Sequence, residues 1–193
     1  MADPARPRDL LAAFRALPPH VTGQIIEGEL HATPRPAGDH GVFSSSLGSD
    51  LGTPFMRGRG GPGGWWIIDE PELHLGSNIL VPDLAGWRKS RLPVYPAGPH
   101  VDLAPDWVCE ILSPSTAALD RVKKLPLYAR EGVAHAWVVD PRARTLEAFT
   151  LDGNRWVLSS VHAEDDVVRC PPFEEVELEL GTMWLPDTEQ AAT

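Results

Sequence analysis

The stretch PDWVCEILSPST, residues 105–116, constrains the fold more than any other part of the chain. Its centre, Trp107-Val108-Cys109-Glu110-Ile111-Leu112, is β-branched, aromatic and aliphatic. Pro105 precedes it and Ser113-Pro114-Ser115 follows it, the pattern of a strand running into a loop. Side chains alternate along a strand, so Trp107, Cys109 and Ile111 share one face and Asp106, Val108, Glu110 and Leu112 the other. Apolar residues on both faces predict a strand covered from both sides, as in a parallel or mixed sheet. Glu110 interrupts that pattern. A carboxylate there costs several kcal/mol unless it is paired, hydrogen-bonded or bound to a metal.

The rest of the chain predicts a mixed α/β (α+β) architecture. Its 193 residues suffice for one domain with a sizeable core. RDLLAAFRAL, residues 8–17, reads as a short amphipathic helix stopped by Pro18-Pro19. VTGQIIEGELHAT reads as two strands turning at Glu27-Gly28, and a Ser- and Gly-rich helix is expected to begin near Asp39. RGRGGPGG, residues 57–64, is a turn-rich loop. WWIIDEPELHLG and NILVPDLAGW then read as one strand each, and a Pro-rich connection over 92–105 leads into the opening stretch. Ser113 to Glu131 reads as helical, with Ser115 or Thr116 as N-cap and Gly132 as the C-terminal left-handed residue. Pro126 costs that segment a hydrogen bond or a kink, so one helix or two pieces meeting near Leu125 satisfy it equally. HAWVVDP is a buried strand, TLEAFTLDGNRWVLSS a hairpin turning at Asp152-Gly153, and VELEL a strand over 176–180. The expected organisation is a helical segment over 1–19, the domain over 20–185 and a frayed tail over 186–193.

Several function classes are excluded. No apolar run reaches the roughly 20 residues of a membrane span, and no signal-peptide h-region opens the chain. Two cysteines make no disulfide framework, which predicts a cytoplasmic protein. The net charge is −10, but residues 162–193 hold nine of the 27 acidic residues and one of the 17 basic ones. The body of the chain is therefore near neutral, and its charge neither favours nor opposes a nucleic-acid partner. Zinc-finger spacing, GxSxG, Walker and dinucleotide-binding motifs are all absent.

Four features bear on chemistry. Asp83 in NILVPDLAGW is an acid in an apolar pattern; taken alone, such an acid is more often a strand-end or turn residue than a ligand. Glu110 is the stronger candidate because it sits mid-strand. Asp106 lies on the same face as Glu110 but four residues away, about 13 Å along the strand, too far to share a cation with ligands at about 2.0–2.6 Å. Asp83 and Glu110 on neighbouring strands, about 5 Å apart, can share one. Positive charge trails each acid: Arg88, Lys89 and Arg91 after Asp83; Arg121, Lys123, Lys124 and Arg130 after Glu110. That order suits a metal-plus-phosphate site, although a charge run on a helix is ordinarily a solvated face. His40, with Glu29 upstream, stands at the start of the predicted helix, where a lone histidine is ordinarily a surface or capping residue.

The order IIEGEL, a helix opening with His40, LVPDLAG, PDWVCEILSPST and DRVKKLPLYAREGVAHAWVVDP resembles the Uma-type restriction endonuclease family over roughly residues 20–185. Residues 105–141 are the most specific part. The resemblance implies a PD-(D/E)XK nuclease fold, a mixed central sheet flanked by helices, with a Mg²⁺ site (Mn²⁺ as substitute) for phosphodiester hydrolysis. Position by position it implies Asp83 and Glu110 as the metal-binding acids. The general nuclease pattern places a lysine two residues after the second acid, where this chain has Leu112. The family takes it from the next helix, which implies Lys124, with Lys123 beside it as the alternative. His40 and Glu29 match the family's histidine and the glutamate of its GEL segment, and complete the implied catalytic set. Gln24 stands where the family often has an acid. The implied partner is DNA, cut by a protein that is plausible as a homodimer. The competing expectations are a degenerate nuclease scaffold that binds nucleic acid or protein, and a hydrolase of small phosphate esters.

Overall fold

In the computed structural model, which describes residues 7–34 and 38–186, the opening stretch forms β7 (Trp107–Ile111) near the middle of a six-stranded sheet. The sheet order is β10-β9-β8-β7-β6-β3. β7 runs antiparallel to β6 (Leu84–Arg88) and parallel to β8 (His135–Asp140), as its two buried faces predicted. β3 (Trp65–Asp69) closes one edge, and the hairpin of β9 (Thr145–Asp152) and β10 (Arg155–Ala163) closes the other. The parallel β7–β8 pair requires a crossover, which carries the helical residues 117–130.

Each face of β7 has its own core. Trp107, Cys109 and Ile111 pack with Phe43, Leu47 and Leu51 of α2 (Asp39–Leu51), and with Phe173, Leu180 and Met183 near the C-terminus. The Ser/Gly content of α2 is poor for a helix. Phe43, Leu47 and Leu51 are fully buried at i, i+4 and i+8, each contributing about 1.5–3 kcal/mol by burial, so packing holds it. Val108 and Leu112 face the other core with Ile26, Leu80, Leu127 and Val138. A second, four-stranded sheet of order β2-β1-β5-β4 contributes Ile26 and Leu80 to that core. It contains β1 (Val21–Ile26), β2 (Glu29–Pro34), β4 (Leu73–Leu75) and β5 (Asn78–Leu80), while α1 (Pro7–Arg15) precedes β1.

Several elements differ from the sequence expectation. The two long strands at 65–76 and 78–87 are each broken in two, β3/β4 and β5/β6, so the chain passes from the large sheet to the small one and back. Pro71 and Pro82 sit in the breaks, where a strand would lose a donor, and Glu70 turns at φ 43°. Asp83 therefore lies in the bend before β6 and not within a continuous strand. The 145–163 hairpin turns one residue late, at Gly153-Asn154, with Asp152 paired to Arg155. VELEL keeps its alternating burial, but only β12 (Leu178–Glu179) pairs, with β11 (Val167–Val168), before a 3-10 turn at Leu180–Thr182. Except for Pro186, the expected frayed tail lies outside the described residues.

The crossover is a run of helical pieces, the last of which begins at Leu125 as one of the two expectations had it. α3 (Ala117–Leu119) runs through a π turn, Asp120–Lys124, into α4 (Leu125–Arg130). The wide turn is closed by the Leu125 amide on the Asp120 carbonyl, so the missing Pro126 N–H falls at a place that has already left α geometry. Thr116 holds the N-cap position without a side-chain bond to the helix. Ser113 and Ser115 bond each other instead of capping. Gly132 ends the segment at φ 76°, as predicted.

Candidate active site

The antiparallel register of β6 and β7 pairs Leu84 with Cys109, which brings Asp83 across from Glu110. Asp83 Oδ2 accepts the Ile111 amide at 2.6 Å, tying the bend before β6 to the strand that carries the glutamate. Glu110 is 1% exposed, and both of its oxygens are held. Lys124 Nζ donates to Oε2 at 2.6 Å and the Tyr128 hydroxyl to Oε1 at 2.6 Å.

Lys124 is 3% exposed and its ammonium meets three acceptors: Glu110, Asp120 Oδ1 at 3.2 Å and the Val81 carbonyl at 3.1 Å. Three N–H bonds thus have three partners. The Val81 amide donates to Gln24 Oε1 at 3.0 Å, so buried Gln24 fixes the same bend from the small sheet. His40 Nε2 lies 3.1 Å from Asp83 Oδ1, bringing the start of α2 to the site. Together these groups border a cleft of about 280 Å³, whose rim includes Glu70, Ser113, Thr116 and Arg142.

Electrostatics follow from this burial. Desolvation pushes the Glu110 carboxyl well up, with Lys124 pulling it back. Burial disfavours the Lys124 charge, but Glu110, Asp120 and Asp83 more than offset it and hold its pKa above the ordinary lysine range. Burial likewise opposes charge on His40, and Asp83, Asp120 and Glu70 reverse the balance, raising its pKa. The stability contributed by the His40–Asp83 pair is complete below the ordinary histidine value of about 6.5 and is lost as pH rises through the raised one. His40→Gln is therefore expected to flatten the decline in unfolding free energy above about pH 6.5, read by urea titrations; an unchanged slope would rule the charged pair out. Tyr128→Phe strips Glu110 of a buried donor and should cost about 1.5–3 kcal/mol by the same method.

Of the implied set, Asp83, Glu110, Lys124 and His40 come together. Glu29 does not: its side chain is 64% exposed and pairs with Lys123 at 2.9 Å, so Lys124 and not Lys123 reaches the buried acid. Asp106 has the structural place its spacing suggested, taking the Arg88 amide at 2.8 Å and Arg91 at 2.9 Å. Most of the trailing cations are engaged elsewhere. Arg88 and Lys89 lie over Trp65 and Trp66, while Arg121 and Arg130 pair with Glu147 and Glu27. Sequence reading assigned no role to Tyr128, Asp120 or Gln24. The first two carried a signal, since Asp120, Lys124 and Tyr128 are spaced i, i+4, i+8.

Among solved structures, the chain is similar to one described as a "putative nuclease belonging to DUF820" from Anabaena variabilis. The TM-score is 0.72 at 24% identity, covering 91% of this chain and 96% of that one, which establishes a shared fold of restriction-endonuclease type. No curated protein matches the chain. No described helix is long and apolar enough to cross a membrane. Residues 11–182 match the family described as "Uma2: Putative restriction endonuclease", and the chain belongs to that family.

Proposed function

We propose that this protein is a Mg²⁺-dependent endonuclease that hydrolyses phosphodiester bonds of DNA, with Asp83 and Glu110 holding the cation. The observation that carries this reading is a pair of carboxylates, Asp83 in the bend before β6 and the fully buried Glu110 on the adjacent β7, facing a cleft with an acidic lining. Asp39, Glu70, Asp83, Glu110 and Asp120 border it, against Lys124 and Arg142. Such a cleft repels a phosphate diester unless a cation offsets the excess negative charge. The donors are oxygens, which suit a hard cation. Two protein carboxylates leave the remaining positions to water and substrate oxygen, the ordinary arrangement for Mg²⁺.

When bound, Mg²⁺ lowers the pKa of its water and polarises the phosphoryl oxygen. The chain's own residues do the rest. Lys124, released in part from Glu110 when that carboxylate turns to a cation, offers its N–H groups to the attacking water or the phosphoryl oxygens. His40 orients Asp83 through Oδ1, and the Ile111 amide fixes Oδ2. Glu29 has no part in this scheme, because it lies outside the cleft. The site belongs in a reducing compartment such as the cytoplasm, which suits the two buried, unpaired cysteines. Cutting both strands of a duplex asks for two copies, so a DNA-bound homodimer is expected in sedimentation.

The test is cleavage of supercoiled plasmid with Mg²⁺ or Mn²⁺, against chelator. Nicked or linear product with metal only supports the reading; activity confined to a small phosphodiester would move it to small substrates. A second reading, a nuclease scaffold kept for binding, draws on the satisfied state of Glu110, whose two oxygens already have donors. It predicts DNA retention in a gel shift with no cleavage under either metal.

A further inference from the structure

On the small sheet a second group of side chains has no part in the cleft. β4 carries Glu72-Leu73-His74 across its start, and the long connection between β6 and β7 passes it with His100-Val101-Asp102. The two segments pair in parallel through Leu73 and Val101. The Val101 amide donates to the Glu72 carbonyl and the His74 amide to the Val101 carbonyl, each at 2.9 Å. Strand alternation then sorts the side chains. Leu73 and Val101 turn into the core at 0% and 3% exposure, and Glu72, His74, His100 and Asp102 turn outward on one face.

Their ligand atoms lie close together. His74 Nε2 lies 2.6 Å from Glu72 Oε1, and the His74 and His100 rings stack at 3.9 Å, 11° from parallel. One ligand atom from each of Glu72, His74 and His100 lies within 4.8 Å of the others. Asp102 Oδ1 stands 3.7 Å from His100 Nε2. Glu72, His74 and His100 are half-buried on hydrogen-bonded backbone, so rotation of the stacked rings about their side-chain bonds is the adjustment a shared cation requires.

We propose that Glu72, His74 and His100 bind a divalent cation of the zinc class, and that this ion clamps the β6–β7 connection onto β4. Two imidazoles and a carboxylate are a zinc-type donor set, where Mg²⁺ would be disfavoured by the nitrogens. The clamped connection joins β6, which follows directly on Asp83, to β7, which bears Glu110. The site is nevertheless separate, since none of its residues borders the cleft.

The test is calorimetric titration of Zn²⁺ alone into the full-length wild type, His74→Gln, His100→Gln and Asp83→Asn, each checked for native circular dichroism. Expected is a site in the wild type and in Asp83→Asn that weakens more than about 100-fold in both histidine variants. At about a hundredfold excess of Zn²⁺ over its Kd, the wild-type unfolding midpoint should rise by roughly 5–10 °C. An equal concentration of Mg²⁺ should give no such rise in the Asp83→Asn background. The proposal is overturned if wild type binds no Zn²⁺ at 100 times the protein concentration, if the histidine variants bind as wild type does, or if only Asp83→Asn loses the site. Should one histidine variant fail to fold, the other decides.

Discussion

Asp83→Asn is expected to lose Mg²⁺-dependent cleavage by roughly 10³-fold while folding as the wild type does, because several kcal/mol of transition-state charge stabilisation go with the cation. The swap is nearly isosteric. The Asn carbonyl still accepts the Ile111 amide, and its NH₂ faces His40, whose Nε2 accepts in the alternative neutral tautomer. Glu110→Gln should show a loss of similar size. Its carbonyl can still take Lys124, and the Tyr128 hydroxyl can turn to accept from the amide. The pair of variants separates chemistry from folding. Glu29→Ala serves as the control, with cleavage unchanged, because the Glu29–Lys123 contact is exposed. Full activity in Asp83→Asn would dismiss the paired-carboxylate site.

Lys124→Met should produce the largest loss of stability, about 3–5 kcal/mol at neutral pH, the cost of leaving buried carboxylates without their cation. For a chain of this size that corresponds to a midpoint roughly 6–20 °C lower. The loss should depend on pH with a defined sign. Without Lys124, burial raises the Glu110 pKa unopposed, so the folded state takes up a proton that the unfolded chain has released. Stability contributed by that protonation is complete below the ordinary carboxylate value and disappears as pH rises through the raised one. Denaturant titrations should therefore find the variant closest to wild type at acid pH and furthest from it at neutral pH. Adding Glu110→Gln to Lys124→Met removes the stranded charge and should recover part of the loss. Equal stability of Lys124→Met and wild type at neutral pH would mean that the ammonium is not needed to hold Glu110.

Much of this site was legible in the sequence for one physical reason: strand alternation is strict. β7 could be placed, its two faces assigned and Asp106 separated from Glu110 by arithmetic on strand rise. The pairing of Asp83 with Glu110 required only that their strands be neighbours. What could not be read were features set by tertiary context. Pro71 and Pro82 marked breaks, but nothing local said that the chain would change sheets there. Lys123 and Lys124 are adjacent and chemically alike; the family resemblance named Lys124, and the packing of the crossover sends it to Glu110 and Lys123 to Glu29. Arg88 and Lys89 looked available for phosphate until the indoles of Trp65 and Trp66 appeared beneath them. Tyr128 is a fully buried core residue, and only its hydroxyl serves the site.

The parallel crossover has a consequence for how the chain reaches this state. Glu110, Lys124 and Tyr128 all belong to one β7–crossover–β8 unit, with the lysine 14 and the tyrosine 18 residues from the glutamate. Their encounter closes short loops, whereas the Val81 carbonyl reaches Lys124 across 43 residues and Asp83 reaches Ile111 across 28. Short loops close at lower entropic cost, so the expected order is that the acid meets its cation before the distant bend docks. In that order, burial of Glu110 would be burial of an already compensated pair and not of a bare carboxylate. Mutations at Lys124 and Tyr128 should accordingly slow folding, while those at Asp83 and Gln24 should mainly hasten unfolding.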